Sequence, residues 1–357
     1  MRRRRRVIIL AGAAVSILLM VLLWLRPKAL YRVTALPLLG DRCMYAGAVN
    51  DAGQIAGSFG DGVRVSRLFL WDREGGARDL GPIAGWHLHI NNTGQMAGTM
   101  EDPNGQLRAF LCEPNGARTI LGTLGGARSV ARALNSRGQV VGESLTAAGV
   151  AHAFLWDQTH GMRDLLSPRA EESRAWAIND GGQILGKLRD KGGFLWDPND
   201  GLRFATPRMQ FRVGEIMDHT GRLVLGRQEW AGGSRVWVWH ADTEAVTTLE
   251  VGTRRLEPMR LNSAGQVLLR ESRSLPFTWW DRILPRWRAK SYLWDPRRGL
   301  LCLDSHVPRG SREDFVAQNL NNTGCIVGML VPRVTNRPRA VVLLEPIPER
   351  WEKQRAR

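Results

Sequence analysis

The chain has 357 residues, is 43% hydrophobic, contains 14 Trp and four Cys, and carries a formal net charge of +16. Its apolar and aromatic content excludes an intrinsically disordered protein, and the sparse Cys exclude a small disulfide-stapled scaffold. Of the 50 basic residues 45 are Arg, and beyond Arg2–Arg6 they are scattered. Dispersed Arg is unlike a phosphate-binding stripe, so no nucleic-acid partner is predicted.

The N-terminus predicts a membrane anchor. A basic flank at residues 1–6 precedes an uncharged apolar run at residues 7–25, which as a helix would be about 28 Å long and would cross a hydrocarbon core. The positive flank predicts a cytoplasmic N-terminus. A cleaved signal peptide is the alternative, but residues 25–29 offer a poor small-residue cleavage site. We therefore predict an uncleaved, single-pass signal-anchor, with the remaining chain outside the cytoplasm.

Residues 31–345 are organised by an internal repeat built around Asn-x-x-Gly. The repeat Asn, replaced by Asp at position 218, recurs seven times, with spacings of 41, 44, 44, 39, 44 and 59 residues. An insertion at about residues 273–290 lengthens the last interval. Asn can fold its side chain onto the following backbone and Gly can adopt a positive φ, so each motif predicts a short hairpin loop with a glycine bulge. The predicted turn residues are Asn50, Gly53, Asn91, Gly94, Asn135, Gly138, Asn179, Gly182, Asn262, Gly265, Asn321 and Gly324.

A Phe-Leu-Trp run follows several of these turns, as at Phe154–Trp156. Phe and Trp would share one face of a strand and Leu the other, so the sheet should be buried on both sides. Units of 40 to 45 residues with about four strands are typical of propeller blades. The strand at residues 31–36 is expected to complete the last blade beside the strand at residues 339–344, which would remove an open edge.

These patterns predict an all-β fold. We expect a seven-bladed β-propeller-like array of roughly four-stranded blades, preceded by one transmembrane helix and followed by a polar tail at residues 346–357. The alternative is an open or split all-β array with fewer, irregular blades.

The repeat resembles a known family. The pattern of residues 131–142, the His-Ala-Phe-Leu-Trp run at His152–Trp156 and the Leu-Gly-Thr-Leu-Gly-Gly run at Leu121–Gly126 are similar to the HAF family of extracellular repeats. The resemblance implies a secreted or surface-displayed bacterial protein. It brings no established activity and no catalytic residues.

Candidate ligand-facing positions lie three residues before the repeat Asn. This position varies within an otherwise regular strand, and such positions can line the channel or mouth of a closed propeller, although filling of the core is the alternative. The candidates are Arg132, Trp176, Glu215 and Gln318.

Two other groups of residues are weaker candidates. His87 and His89 share a strand face and can present two imidazoles to a metal, but no third ligand is identifiable, so neither a metal nor a cofactor is predicted. The insertion contains Trp279, Trp280 and Trp287 among basic residues. It is a candidate interface with lipid headgroups or a partner, unless it folds over a blade edge.

The sequence therefore predicts a membrane-anchored extracytoplasmic protein that binds or scaffolds an envelope protein or glycan of a bacterium. An enzyme acting on an envelope glycan or another extracellular substrate at the propeller mouth is the second hypothesis. A purely structural surface protein is the third. No catalytic residue is predicted, and the pairing of the four Cys is left open.

Overall fold

The computed structural model describes most of the repeat region. The described residues are 30–36, 43–60, 66–83, 88–166, 172–189, 192–204, 216–218, 223–230, 233–240, 243, 245–249, 251–252, 256–271, 290–307, 313–332 and 340–348. The predicted transmembrane segment at residues 7–25 lies outside these ranges. Within them, no helix is long and apolar enough to span a membrane.

The described residues form seven four-stranded sheets, numbered here in chain order. The first strand, β1 (Tyr31–Ala35), belongs to sheet 7. Sheet 1 contains β2 (Cys43–Val49), β3 (Ile55–Gly60), β4 (Ser66–Asp72) and β5 (Gly76–Ile83). Sheet 2 contains β6 (His89–Ile90), β7 (Met96–Glu101), β8 (Leu107–Cys112) and β9 (Arg118–Ile120). Sheet 3 contains β10 (Gly125–Leu134), β11 (Val140–Thr146), β12 (Ala151–Asp157) and β13 (Gly161–Asp164).

The remaining sheets follow the same order. Sheet 4 contains β14 (Ser173–Ile178), β15 (Ile184–Leu188), β16 (Gly192–Asp197) and β17 (Gly201–Phe204). Sheet 5 contains β18 (Ile216–Met217), β19 (Leu223–Trp230), β20 (Gly233–His240) and β21 (Val246–Leu249). Sheet 6 contains β22 (Leu256–Leu261), β23 (Val267–Glu271), β24 (Ser291–Asp295) and β25 (Gly299–Cys302), followed by a 3₁₀ turn at Leu303–Ser305. Sheet 7 contains β26 (Glu313–Leu320), β27 (Ile326–Pro332) and β28 (Ala340–Pro346).

The sheets are arranged in a circle. The first strand of each repeat contacts the first strand of the next, through β2, β6, β10, β14, β18, β22 and β26, and β26 contacts β2 in turn. These strands therefore surround a central channel. β1 pairs with β28 from Tyr31↔Pro346 to Ala35↔Val342, as predicted for closure by the N-terminal strand. The prediction of an all-β β-propeller is confirmed.

The hydrophobic core lies between neighbouring sheets, and the Phe-Leu-Trp run contributes side chains to it from both faces of its strand. Phe154 and Trp156 pack toward sheet 2, whereas Leu155 packs toward sheet 4. Phe154 is fully buried and pairs with Gly142 on β11. A Cβ atom on Gly142 would lie 2.9 Å from Cε1 of Phe154 and 1.9 Å from the carbonyl oxygen of Val130. Glycine is therefore required at this position by packing rather than by backbone conformation.

Three cysteines are free thiols in the described part of the chain: Cys112, Cys302 and Cys325. Cys112 is buried in the core between sheets 1 and 2, where the repeat elsewhere has Trp. Burial raises the pKa of its thiol, which is consistent with a packing role. The side chain of Cys43 lies outside the described residues.

Candidate functional site

The Asn-x-x-Gly motifs form the predicted hairpin turns. In sheet 3 the backbone N–H of Asn135 donates to the carbonyl of Gln139 at 3.1 Å, and that of Gly138 donates to the carbonyl of Asn135 at 3.1 Å. Gly138 has a φ of +74°, a conformation that glycine adopts without steric cost. The turn glycines of sheets 1, 2, 4, 6 and 7 have the same positive φ, as predicted.

The repeat Asn also joins neighbouring sheets, at five junctions in the described part of the chain. Asn135 Oδ1 accepts the Gln139 N–H at 3.0 Å, while Nδ2 donates to Gln139 Oε1 at 2.8 Å and to the carbonyl of Asn179 in sheet 4 at 3.0 Å. The same bond to the following sheet is made by Asn50, Asn91 and Asn262, and Asn321 makes it to Asn50 across the closure. We call Asn50, Asn91, Asn135, Asn179, Asn262 and Asn321 the Asn ring. These side chains are buried, and their hydrogen bonds stabilise the turns and the contacts between sheets.

The end of the channel at which the turns lie is called the turn mouth here, and the residues before six of the repeat positions line it. A cavity of about 150 Å³ lies there, bounded by six of the seven sheets and therefore on the channel axis. Its apolar lining is Val49, Ile90, Leu134, Ile178, Leu261 and Leu320. At its polar rim, both carboxylate oxygens of Asp51 accept bonds from Asn92 and Asn322. Neighbouring turns therefore satisfy both oxygens of the Asp51 carboxylate.

The candidate positions three residues before the repeat Asn coincide with β-bulges. In sheet 4, Ala175 pairs with Gly186 and Ala177 with Leu185, which leaves Trp176 as the extra residue. Arg132 and Gln318 occupy the same position in sheets 3 and 7. All three side chains are partly exposed. A bulge releases a residue from the ladder and re-aims its side chain. Glu215 lies outside the described residues.

Arg132 belongs to a chain of alternating charges that crosses from sheet 3 to sheet 4. Its Nη2 lies 3.3 Å from Oε1 of Glu143, whose Oε2 lies 2.9 Å from Nε of Arg174. Arg174 Nη2 lies 2.7 Å from Oε1 of Glu172, and Glu172 Oε2 lies 3.0 Å from Nη1 of Arg189. We call these five residues the Arg–Glu chain. Side-chain exposure is 7% at Glu143 and 68% at Arg189, so the chain runs from the interior to the surface.

The exposed half of the Arg–Glu chain lines a cleft of about 230 Å³. The cleft residues are Glu172, Arg174, Trp176, Lys187 and Arg189. Glu172 and Arg189 flank β14 and β15 at the ends remote from the Asn179 turn, and the Arg189 N–H donates to the Glu172 carbonyl at 2.9 Å. The cleft therefore lies toward the mouth opposite the turns. Its guanidinium groups can bind an oxyanion, and its indole can contact an apolar or sugar face.

The structure thus brings two of the predicted positions, Arg132 and Trp176, to one region, while Gln318 lies in sheet 7. Sequence reasoning missed the partners of Arg132 and Trp176 in that region. Arg174 lies two residues before Trp176, so period-two alternation could have placed it on the same strand face. Glu143 comes from another repeat, and no signal in the sequence links it to Arg174.

Of the weaker candidates, the structure describes His89 alone. His89 lies on β6 and pairs with Ala97, whereas His87 is outside the described residues. Within the described ranges, no group of three or more His, Cys, Asp or Glu side chains could hold a metal ion. Trp279, Trp280 and Trp287 also lie outside the described residues.

The His of the His-Ala-Phe triplet has a structural partner. His152 Nδ1 lies 2.7 Å from Oδ2 of Asp164 on the neighbouring strand β13. In sheet 1 the equivalent pair is Arg67 and Asp79, with 2.6 Å between Nε and Oδ2. The pair therefore connects the third and fourth strands of a sheet in both repeats.

Comparison with known proteins gives the fold. No protein-family model matches the chain, and no curated protein matches it in sequence. The β-propeller domain of the trilobed protease from Pyrococcus furiosus is 11% identical, with 85% of this chain and 93% of that one covered and a TM-score of 0.59. That propeller has an open velcro topology, whereas here β1 and β28 pair in one sheet.

Two further solved structures are similar in fold to this chain. Streptogramin B lyase is 9% identical, with 90% of this chain and 100% of that one covered and a TM-score of 0.52. Pyrococcus horikoshii acylaminoacyl peptidase is 9% identical with a TM-score of 0.56; 85% of this chain is covered, and the match spans about half of the peptidase, 52%. At these identities the likeness shows the β-propeller fold alone.

Proposed function

We propose that this protein is a membrane-anchored, extracytoplasmic binding protein of the bacterial cell envelope, with the HAF-type repeat as its framework. In this proposal the seven sheets are the seven blades of one closed propeller, and the apolar segment at residues 7–25 holds that propeller at the membrane. The basic residues at positions 2–6 and the long uncharged run after them support the anchor.

The observation that carries the binding role is the cleft in sheet 4. Its carboxylate Glu172 is shared by Arg174 and Arg189, and Glu143 is shared by Arg132 and Arg174. Ordered cations of this kind are pre-organised for an anionic partner, because their positions are fixed before a ligand arrives. The exposed ends at Lys187 and Arg189 are accessible to such a partner.

The orientation is tested with reporters fused after Arg357. We expect a reporter that is active only outside the cytoplasm to be active, and a reporter that requires the cytoplasm to be silent. The same fusions made without residues 1–25 provide the control, because they lack the export segment. Activity of the cytoplasmic reporter on the full chain would refute the proposed localisation.

The binding role is tested with the full-length protein in detergent, immobilised and exposed to saccharide and protein fractions of a bacterial envelope. Arg189→Glu should abolish specific retention. Arg163→Glu is the matched control, since Arg163 is also exposed and paired to one carboxylate, Asp157, at 2.6 Å. Equal retention by the wild type and Arg189→Glu would show that the cleft is not the binding site.

A further inference from the structure

We propose that the cleft binds an acidic saccharide, meaning a sugar ring that carries a carboxylate or a phosphate group. This inference rests on the proposed binding function and names its ligand class. It follows from the charge of the cleft, the accessibility of its cations, and the position of one aromatic side chain beside them.

The charge of the cleft favours an anionic group. Three cationic side chains, Arg174, Lys187 and Arg189, face one carboxylate, Glu172, which leaves a net charge of +2. Glu172 already contacts both guanidinium groups, so its single charge is divided between them. The Arg–Glu chain as a whole adds Arg132 and Glu143 and leaves the net charge unchanged. A ligand oxyanion would therefore meet an excess of positive charge.

The accessible hydrogen-bond donors of the cleft lie at the exposed end of the Arg–Glu chain. Arg189 contacts Glu172 through Nη1, and 68% of its side chain is exposed, so it is accessible to a ligand. Lys187 is exposed and makes no ion pair with another described residue. A guanidinium and an ammonium side by side suit a carboxylate or a phosphate, because the first donates a planar pair of N–H groups and the second adds a mobile charge.

The aromatic residue and the size of the cleft indicate a sugar. Trp176 is partly exposed and lines the same cleft as the cations, so its indole can pack against the C–H face of a pyranose. The volume is about 230 Å³, below the roughly 300–1,000 Å³ of sites for drug-sized ligands. That space fits one ring rather than a longer chain, with further residues of a polymer extending into solvent.

Calorimetric titration of the full-length protein in a nonionic detergent tests this. The probes are digalacturonate, glucose 6-phosphate, neutral galactobiose and glucose, and inorganic phosphate. We expect at least one acidic sugar to bind about tenfold or more tightly than its neutral counterpart and than inorganic phosphate. The carboxylated and phosphorylated probes then identify which acidic group is preferred.

Variants assign the binding to the cleft. Arg189→Glu and Lys187→Glu should each weaken the acidic sugar about tenfold or more, while Arg163→Glu leaves it unchanged. Trp176→Ala should weaken the sugar but not inorganic phosphate; Trp176→Phe, which keeps an aromatic ring, should retain most of the affinity. Melting curves of all variants show whether the fold is kept.

The outcomes separate this inference from the proposed function. If neither digalacturonate nor glucose 6-phosphate binds more tightly than its neutral counterpart and than inorganic phosphate, the acidic saccharide is overturned. Binding that is unchanged in Arg189→Glu would also overturn it. If envelope retention depends on Arg189 while no acidic sugar binds, the binding role stands and the ligand class is wrong. If neither depends on Arg189, both are wrong.

Discussion

The repeat Asn and the β-bulge are three residues apart on the first strands of sheets 1, 3, 4, 6 and 7, yet they differ in how strictly they repeat. At the turn, the repeat Asn makes the same bonds in successive sheets, as Asn91 and Asn135 do. At the bulge, sheet 3 has Arg132, sheet 4 has Trp176 and sheet 7 has Gln318. The turn holds one sheet to the next, so its sequence is fixed by hydrogen bonding. The bulge residue is not paired with the neighbouring strand, so its side chain can vary while the sheet keeps its hydrogen bonds.

The largest expected loss of stability comes from the repeated core. Phe154→Ala removes a fully buried ring that fills the space above Gly142, so we expect the free energy of unfolding to fall by about 3–5 kcal/mol. Chemical denaturation followed by circular dichroism measures it. Leu202→Ala is the control, because Leu202 is 38% exposed, and should cost about 0.5 kcal/mol or less. Similar losses at both positions would contradict the packing described here.

The next largest loss is expected in the Asn ring. Asn135→Ala removes the Oδ1 acceptor for two backbone N–H groups and the Nδ2 donor to Gln139 and Asn179. Leaving these buried groups unpaired should cost about 2–4 kcal/mol. Denaturant midpoints of the two proteins provide the measurement.

Asn135→Asp and Asn115→Ala sharpen this test. The first keeps the acceptor oxygen but replaces the amide donor with an oxygen that faces the Gln139 and Asn179 acceptors, so it should also lose stability, which isolates the contribution of the donor. Asn115 is exposed and accepts one bond from the Ala117 N–H, so its removal should cost about 1 kcal/mol or less. An Asn135→Ala protein as stable as Asn115→Ala would refute the role of the ring.

A smaller effect is expected from the turn glycine. Gly138→Ala places a Cβ on a residue with a φ of +74°, which should cost about 1–2 kcal/mol. Gly138→Asn should cost less, since Asn tolerates this conformation better than Ala. Thermal melts of the wild type and the two variants rank their stabilities. An Ala variant at least as stable as the Asn variant would show that the positive φ at position 138 does not determine the cost.

The comparison between the turn and the bulge also shows which features could be predicted from the sequence. The turns, the two faces of Phe154–Trp156 and the pairing of β1 with β28 were predictable, because a repeat presents the same local pattern several times. The Arg–Glu chain was not, because Glu143 and Arg174 lie in different sheets and nothing in either repeat marks the other as its partner. Trp176 was identified by its variation, but the bulge that explains the variation depends on strand register.

The smallest expected effect is a gain of stability in sheet 7, where Cys325 stands in place of the usual Gln. In sheets 2, 4 and 6 that Gln donates to a carboxylate at or just after the end of the third strand, as Gln266 does to Asp295 at 2.8 Å. Cys325 directly precedes Ile326, which pairs with Leu344, so the same register continued by one residue places it opposite Glu345. Glu345 pairs with Arg73 through Oε1, while its buried Oε2 has no hydrogen-bond partner within the described residues.

Cys325→Gln should therefore raise the free energy of unfolding by about 0.5–1.5 kcal/mol, because the amide can donate to Glu345 and accept from Asn321. Burial raises the pKa of the Cys325 thiol, so the native residue stays neutral beside that carboxylate. Cys325→Ala is the matched control, since it also removes the thiol but supplies no donor. A Gln variant no more stable than the Ala variant would show that the bonds of the Asn ring are not transferable from one sheet to another, and that sheet 7 has adapted to their loss.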